Sequence, residues 1–397
     1  MRNCRKKPDN LPTFNRSCGL VIPLLSCVLL ACVGAEDVTG NNSNPPATPP
    51  LCPVTLGDTA SHRPRAQFSD YTNIPNVIVP ELLEVWQCRP WDWDGDHTRC
   101  IDRALELAYM RKTRYVGLTR GRKYNYSGRI YLREGTALGA VGDPDAPRPI
   151  LQATRPVRGG IALSSNTEVR NLDIRGPYYN ISHYEVHKHD DWENMGLNGG
   201  GTRNWAVLGT SVNGFAGTGI LAGQSDSVRI EGNTIAYNGY SGISLFSGSV
   251  HCGRGVRVAD NLVEHNGQDG IDACSSDARY ENNVLRYNGW DEQPGDGHGL
   301  LIFIWSEGTA ENIVIENNLS YGNRESGILI DGREIQNVVV RENVLIDNGQ
   351  WGISLGSSNG RLIDVVVENN KCVGNPLGCI MKQYVPNARY GLEIVCE

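Results

Sequence analysis

What the chain lacks narrows its chemistry first. Beyond residue 31 the only lysines are Lys112, Lys123, Lys188, Lys371 and Lys382, so few positions can supply a lysine base. The formal charge is −7; residues 1–31 hold five basic residues and one acid, so the remainder carries −11. That excess argues against nucleic acid and against an anionic membrane surface as partners. An anionic ligand would need a metal or local arginines to offset it. No P-loop or dinucleotide fingerprint is present, and no cysteine spacing suits zinc. The apolar run from Gly19 to Ala31 is too short to span a bilayer comfortably. It follows Arg2, Arg5, Lys6, Lys7 and Arg16 and reads as a signal peptide.

What is present is a repeat. Gly followed by an aliphatic residue returns at Gly196-Leu197, Gly219-Ile220, Gly242-Ile243, Gly270-Ile271, Gly299-Leu300, Gly327-Ile328 and Gly352-Ile353, with Gly378-Cys379 as a degenerate last copy. Successive glycines stand 23, 23, 28, 29, 28, 25 and 26 residues apart. Most units carry an alternating apolar run ending in Asn, at Asn233, Asn261, Asn318, Asn343 and Asn370. An Asn-Gly turn follows, at Asn238-Gly239, Asn266-Gly267, Asn288-Gly289 and Asn348-Gly349. A fixed period of roughly 20–30 residues with short alternating strands is a solenoid signature, whereas a propeller wants blades of about 40–45 residues. Alternation places Ile220, Ile243, Ile271, Leu300, Ile328 and Ile353 in one interior ladder. Ala222, Leu245, Ala273, Ile302, Ile330 and Leu355 make the next. The repeated Asn predicts side-chain amide ladders, each amide bonding its neighbour about 4.8 Å on.

These phrases resemble the right-handed parallel β-helix of the pectate-lyase-like superfamily, from roughly residue 113 to the C-terminus. The resemblance implies an all-β chain, a right-handed parallel β-helix solenoid with an N-terminal helical cap. We expect a lipoprotein signal peptide at 1–31, a Pro/Asn-rich tether at 32–76, a cap with an amphipathic helix at 77–112, and the β-helix at 113–397. Ile101, Ala104, Leu105 and Ala108 recur at helical spacing after Asp96-His97-Thr98, with Asp96 or Thr98 as N-cap. Such a helix would cover the open end of the solenoid, where strand edges are unpaired. Leu29-Leu30-Ala31-Cys32 resembles a bacterial lipobox, which implies acylation of Cys32 and anchoring in the bacterial cell envelope, at the outer membrane where the cell has one. Membrane contact is expected through that anchor only, and the chain is expected to be a monomer. Eight of the 12 cysteines remain once Cys4, Cys18, Cys27 and Cys32 are set aside. An even count in an exported chain favours disulfides, with Cys252–Cys274 and Cys88–Cys100 the preferred pairs.

Two insertions, Pro177–Glu193 and Trp290–Gly297, fall at the same corner of the coil, four rungs or roughly 19 Å apart. They are expected to wall a groove. The residues just before each Gly include Asp269 and His298, and those two after it include Asp272, so these three should lie close together. Asp269-Gly270-Ile271-Asp272 is similar to the Asp-Gly-x-Asp calcium cluster of some β-helix pectate lyases. That likeness implies Asp269 and Asp272 as ligands of Ca²⁺, which neutralises a uronate carboxylate while a base removes the C5 proton. The family's preceding acidic residue is Gln268 here, and no lysine lies near. The base therefore falls to His298, or to Arg324 or Arg333, which would otherwise clamp an anion. The competing readings are solvated turn carboxylates and a hydrogen-bonded structural histidine. His187 and His189 read as part of a substrate-contacting lid, with a solvated loop or a transition-metal site as alternatives. Trp290, Phe246 and Phe303 are candidates to stack on sugar rings, although outward aromatics in a β-helix also pack under loops. The paired Asp motifs of the polygalacturonase branch are not found, which disfavours hydrolysis.

Two functions are expected from these residues. One is a lyase acting on a uronate-containing polysaccharide by C5 proton abstraction and β-elimination, or a uronan C5-epimerase sharing the abstraction step. The other is a non-catalytic, glycan-binding or structural surface module, favoured by the negative charge and low lysine content.

Overall fold

Strands of two to eight residues are too short to stand alone, and here each pairs in parallel with its counterpart one coil away. The computed structural model describes residues 67–70, 76–80, 95–179, 191–246, 252–291, 295–304, 308–356, 361–382, 389–390 and 395–396. Among them, three parallel sheets of 11, 11 and 10 strands run along a β-solenoid, with strands taken in rotation from successive coils. The predicted signal peptide, most of the tether and Cys32 lie outside the described residues.

The interior ladders form as the alternation requires. Ile220, Ile243, Ile271, Leu300, Ile328 and Ile353 are register partners in the third sheet and are fully buried. Ala273, Ile302, Ile330 and Leu355 stack beside them. Both Asn positions form amide ladders. One runs Asn233, Asn261, Asn283, Asn318, Asn343, Asn370, and the other Asn238, Asn266, Asn288, Asn323, Asn348, Asn375. The repeated glycine is required by the second ladder. A Cβ at Gly270 would lie 2.6 Å from the Gly299 carbonyl oxygen and 2.9 Å from Asn288 Nδ2.

The helix Thr98–Arg111 buries Ile101, Ala104, Leu105 and Ala108, as its spacing predicts. Its N-cap is His97 rather than Asp96 or Thr98. Asp96 instead accepts the Thr98 N–H at 2.9 Å and the Ser127 N–H at 3.3 Å, tying the helix start to a neighbouring turn. The last part of the expected tether is docked. Asn171 Nδ2 donates to the Phe68 carbonyl at 2.7 Å and to Asp70 Oδ1 at 2.6 Å, while Asp70 pairs with Arg120. Contacts with the coils therefore begin before Val77. Cys252–Cys274 forms; Cys100 is disulfide-bonded, and Cys88 lies outside the described residues. A further pair, Cys372–Cys379, was not singled out by spacing.

Candidate functional site

The outward side chains of the third sheet build the site. Ser244, Asp272, Leu301, Leu329, Ser354 and Met381 are successive register partners along it. Because strand residues alternate inward and outward, this column faces away from the isoleucine ladder. From Asp272 to Met381 it forms the floor of a groove of about 910 Å³, lined also by Phe246, Asp269, Asp296, His298, Phe303, Arg324, Glu325 and Asp331.

The Trp290–Gly297 insertion closes on itself at two glycines. Gly289 has φ +95° and Gly297 φ +108°, and a Cβ on Gly289 would lie 2.4 Å from Gly297 Cα. Only glycine fits that approach with that backbone. The closure aims two N–H groups at one carboxylate: Gly297 N–H donates to Asp269 Oδ1 at 3.0 Å and His298 N–H at 2.7 Å. Asp269 is itself buried, 3% exposed. Among the described residues Asp272 accepts a long contact from Ser244 Oγ, at 3.4 Å.

Too many carboxyls share this space for all to ionise. Burial first, then the Asp272 charge, hold Asp269 well above the usual carboxylate range, against its two N–H donors. Burial raises Asp272 to about 7, with Asp296 adding and Ser244 opposing. Burial also raises Asp296 and Glu325, and Arg324 opposes both shifts. His298 goes the other way. It is 3% exposed, and burial lowers its pKa to about 4. Its Nδ1 accepts the Ser326 N–H at 3.1 Å, so the ring is neutral at pH 7 with its lone pair engaged.

The expected residues therefore separate into two groups. Asp269, Asp272, His298, Arg324, Phe246 and Phe303 are brought together in one groove. Trp290 and Arg333 do not line it: the Trp290 indole donates to the His265 carbonyl at 2.8 Å, and Arg333 is exposed on the following turn. His187 and His189 lie outside the described residues. The groove spans rungs from Phe246 to Met381, on both sides of the Trp290–Gly297 insertion rather than between the two insertions. Sequence reasoning missed Asp296, Glu325 and Asp331. Asp331 was within reach, since it stands four residues after its repeat glycine, as Phe246 and Phe303 do.

The fit to Ca²⁺ is poor with these side chains alone. The ion takes about six to eight oxygens, and Asp269 commits one of its own to two backbone N–H groups. Among the described residues no three His, Cys, Asp or Glu side chains are grouped to hold a metal.

Comparison with known proteins agrees with the fold. The family described as right handed beta helix region matches residues 159–314. A search of curated proteins gives no match. The A-module of an Azotobacter vinelandii mannuronan C-5 epimerase, AlgE4, aligns with TM-score 0.52 and 17% identity, over 71% of this chain and 84% of that one. The Agl-KA catalytic domain aligns with TM-score 0.51 and 15% identity, over 79% of this chain and 60% of that one. A tailspike protein of E. coli bacteriophage HK620 in complex with a pentasaccharide aligns with TM-score 0.53 and 12% identity, over 75% and 57%. At these identities the likeness is one of fold.

Proposed function

We propose, from the premise that the chain has the right-handed parallel β-helix fold of the pectate-lyase-like superfamily, that it lays a polysaccharide along this groove and cleaves it by proton transfer at Asp269 and Asp272. The carboxyl pair carries the proposal. Two acids on one short segment, Asp269 buried and Asp272 half-buried, each raised by desolvation and by negative neighbours, share a proton near neutral pH. Such a pair offers an acid and a base at once, which glycosidic cleavage needs. The protonated member donates to the glycosidic oxygen as the C–O bond breaks, and the ionised member takes a proton from the attacking water. The Gly297 and His298 N–H groups hold Asp269 in place, and His298, with its lone pair engaged, has a positioning role. That the compared structures include a mannuronan epimerase module and a tailspike holding a pentasaccharide supports a glycan ligand.

Elimination from a uronan, or C5 epimerisation, is the second reading, and Arg324 favours it. Arg324 lines the groove and is the cation that could clamp a substrate carboxylate. One member of the Asp pair, rather than His298, would then take the C5 proton. Ca²⁺ enters as a counter-ion to the carboxyl excess, with no step assigned to it. The acylated Cys32 and the Pro/Asn-rich segment would hold the groove on the outside of the cell envelope.

The test uses the purified protein with pectate, alginate, hyaluronan, chondroitin and neutral glycans, with Ca²⁺ and with chelator. Reducing ends, unsaturated product and uronate configuration are followed together. New reducing ends without unsaturation, lost in Asp269→Asn and Asp272→Asn, are the expected result. Unsaturated or epimerised product would move the assignment to the second reading. No product from any substrate would overturn catalysis and leave a glycan-binding surface module.

A further inference from the structure

We propose that Phe303 and Asp331 form a sugar subsite in the groove that takes a neutral or amino-substituted pyranose rather than a uronate. The proposal rests on the groove being a glycan groove and adds which sugar it holds. Phe303 and Asp331 are register partners on adjacent parallel strands, so their Cα atoms stand about 4.8 Å apart and both side chains line the groove. An aromatic ring beside a carboxylate matches the two faces of a pyranose. The ring covers axial C–H groups, and the carboxylate accepts a pair of hydroxyl protons.

Asp331 is poised for that role. Its Oδ1 is buried without a hydrogen-bond partner, a state that is costly for a carboxylate and that most native polar atoms avoid. A hydroxyl or ammonium donor from a ligand would relieve it after a small turn of the side chain. The charge of the groove chooses between ligands. Asp269, Asp272, Asp296, Glu325 and Asp331 face one cation, Arg324, among the described lining residues, and His298 is neutral at pH 7. Five carboxyls against one arginine make the lining acidic. It should repel a uronate and attract a neutral or cationic sugar.

The experiment is a glycan array bearing neutral, amino and uronate oligosaccharides, probed with the full chain and followed by titration calorimetry on the best binder. Asp331→Ala should weaken that binder at least tenfold and Phe303→Ala several-fold. Asp331→Asn, the variant that best preserves the fold, should fall between Asp331→Ala and wild type. Wild-type affinity in all Asp331 and Phe303 variants, or selective binding of uronate glycans, would overturn the subsite while leaving the groove's general reading intact. Failure of the wild type to bind any glycan would overturn both.

Discussion

Replacing Asp272 by Asn should stabilise the protein at alkaline pH while removing its activity. The sign follows from the direction of the shift. Burial raises Asp272 from an ordinary value of 3.8 to about 7, so the folded protein keeps a proton that the unfolded chain releases. Stability therefore falls as pH rises from about 4 to about 7, and the full cost is present above that window. Three units correspond to a ceiling of about 4 kcal/mol. Water reaching the partly exposed side chain lowers the expected cost to about 2–4 kcal/mol.

Asn at 272 carries no charge, keeps an oxygen for Ser244 Oγ, and also relieves the repulsion that raises Asp269. Denaturant unfolding of wild type and Asp272→Asn at pH 4 and pH 8 measures the effect. We expect near-equal stability at pH 4 and a variant more stable by about 2–4 kcal/mol at pH 8, with glycan turnover lost at both. Parallel pH dependences in the two proteins would refute the reasoning, because they would mean that Asp272 titrates alike folded and unfolded.

Gly297→Ala should abolish turnover with the solenoid intact by circular dichroism, since a Cβ there meets Gly289 Cα at 2.9 Å and would withdraw both N–H donors from Asp269. Asn283→Ala removes the acceptor for the Asn261 N–H and Nδ2 groups, at 3.1 and 2.9 Å. Two buried donors left unmet should cost about 2–5 kcal/mol in urea unfolding; a loss under about 1 kcal/mol would mean that water completes the ladder. Joint replacement of Cys252 and Cys274 by Ala, opening a cross-link of sequence separation 22, should cost about 3 kcal/mol in the same assay.

The fold was legible because a solenoid writes each interior column at a fixed period. Ile243, Ile271 and Leu300 needed only alternation and the recurring glycine to be stacked correctly, and the Asn-Gly turn carried the second amide ladder with it. The helix start was less legible: Asp96 has the chemistry of an N-cap, but Ser127, 31 residues away, competes for its oxygens. Cys372–Cys379 was missed because an even count gives no connectivity.

The candidate site was legible in its membership and not in its chemistry. Column reading placed Asp269, Asp272 and His298 together, and they are together. Yet a histidine is a base only where its lone pair is open, and the Ser326 N–H that closes it comes from the next coil's backbone, which no motif records. Proton affinity at the two aspartates depends on burial and on Asp296, carried in by an insertion whose path turns on Gly289 and Gly297. In a parallel β-helix, carboxyls from neighbouring coils lie about one rung apart however many residues separate them. Asp269 and Asp272 share one coil and Asp296 is set beside them from the next, so burial and the crowding of like charges together raise both aspartates. Asp272 thus belongs to a column as regular as the isoleucine ladder, read on the outward face.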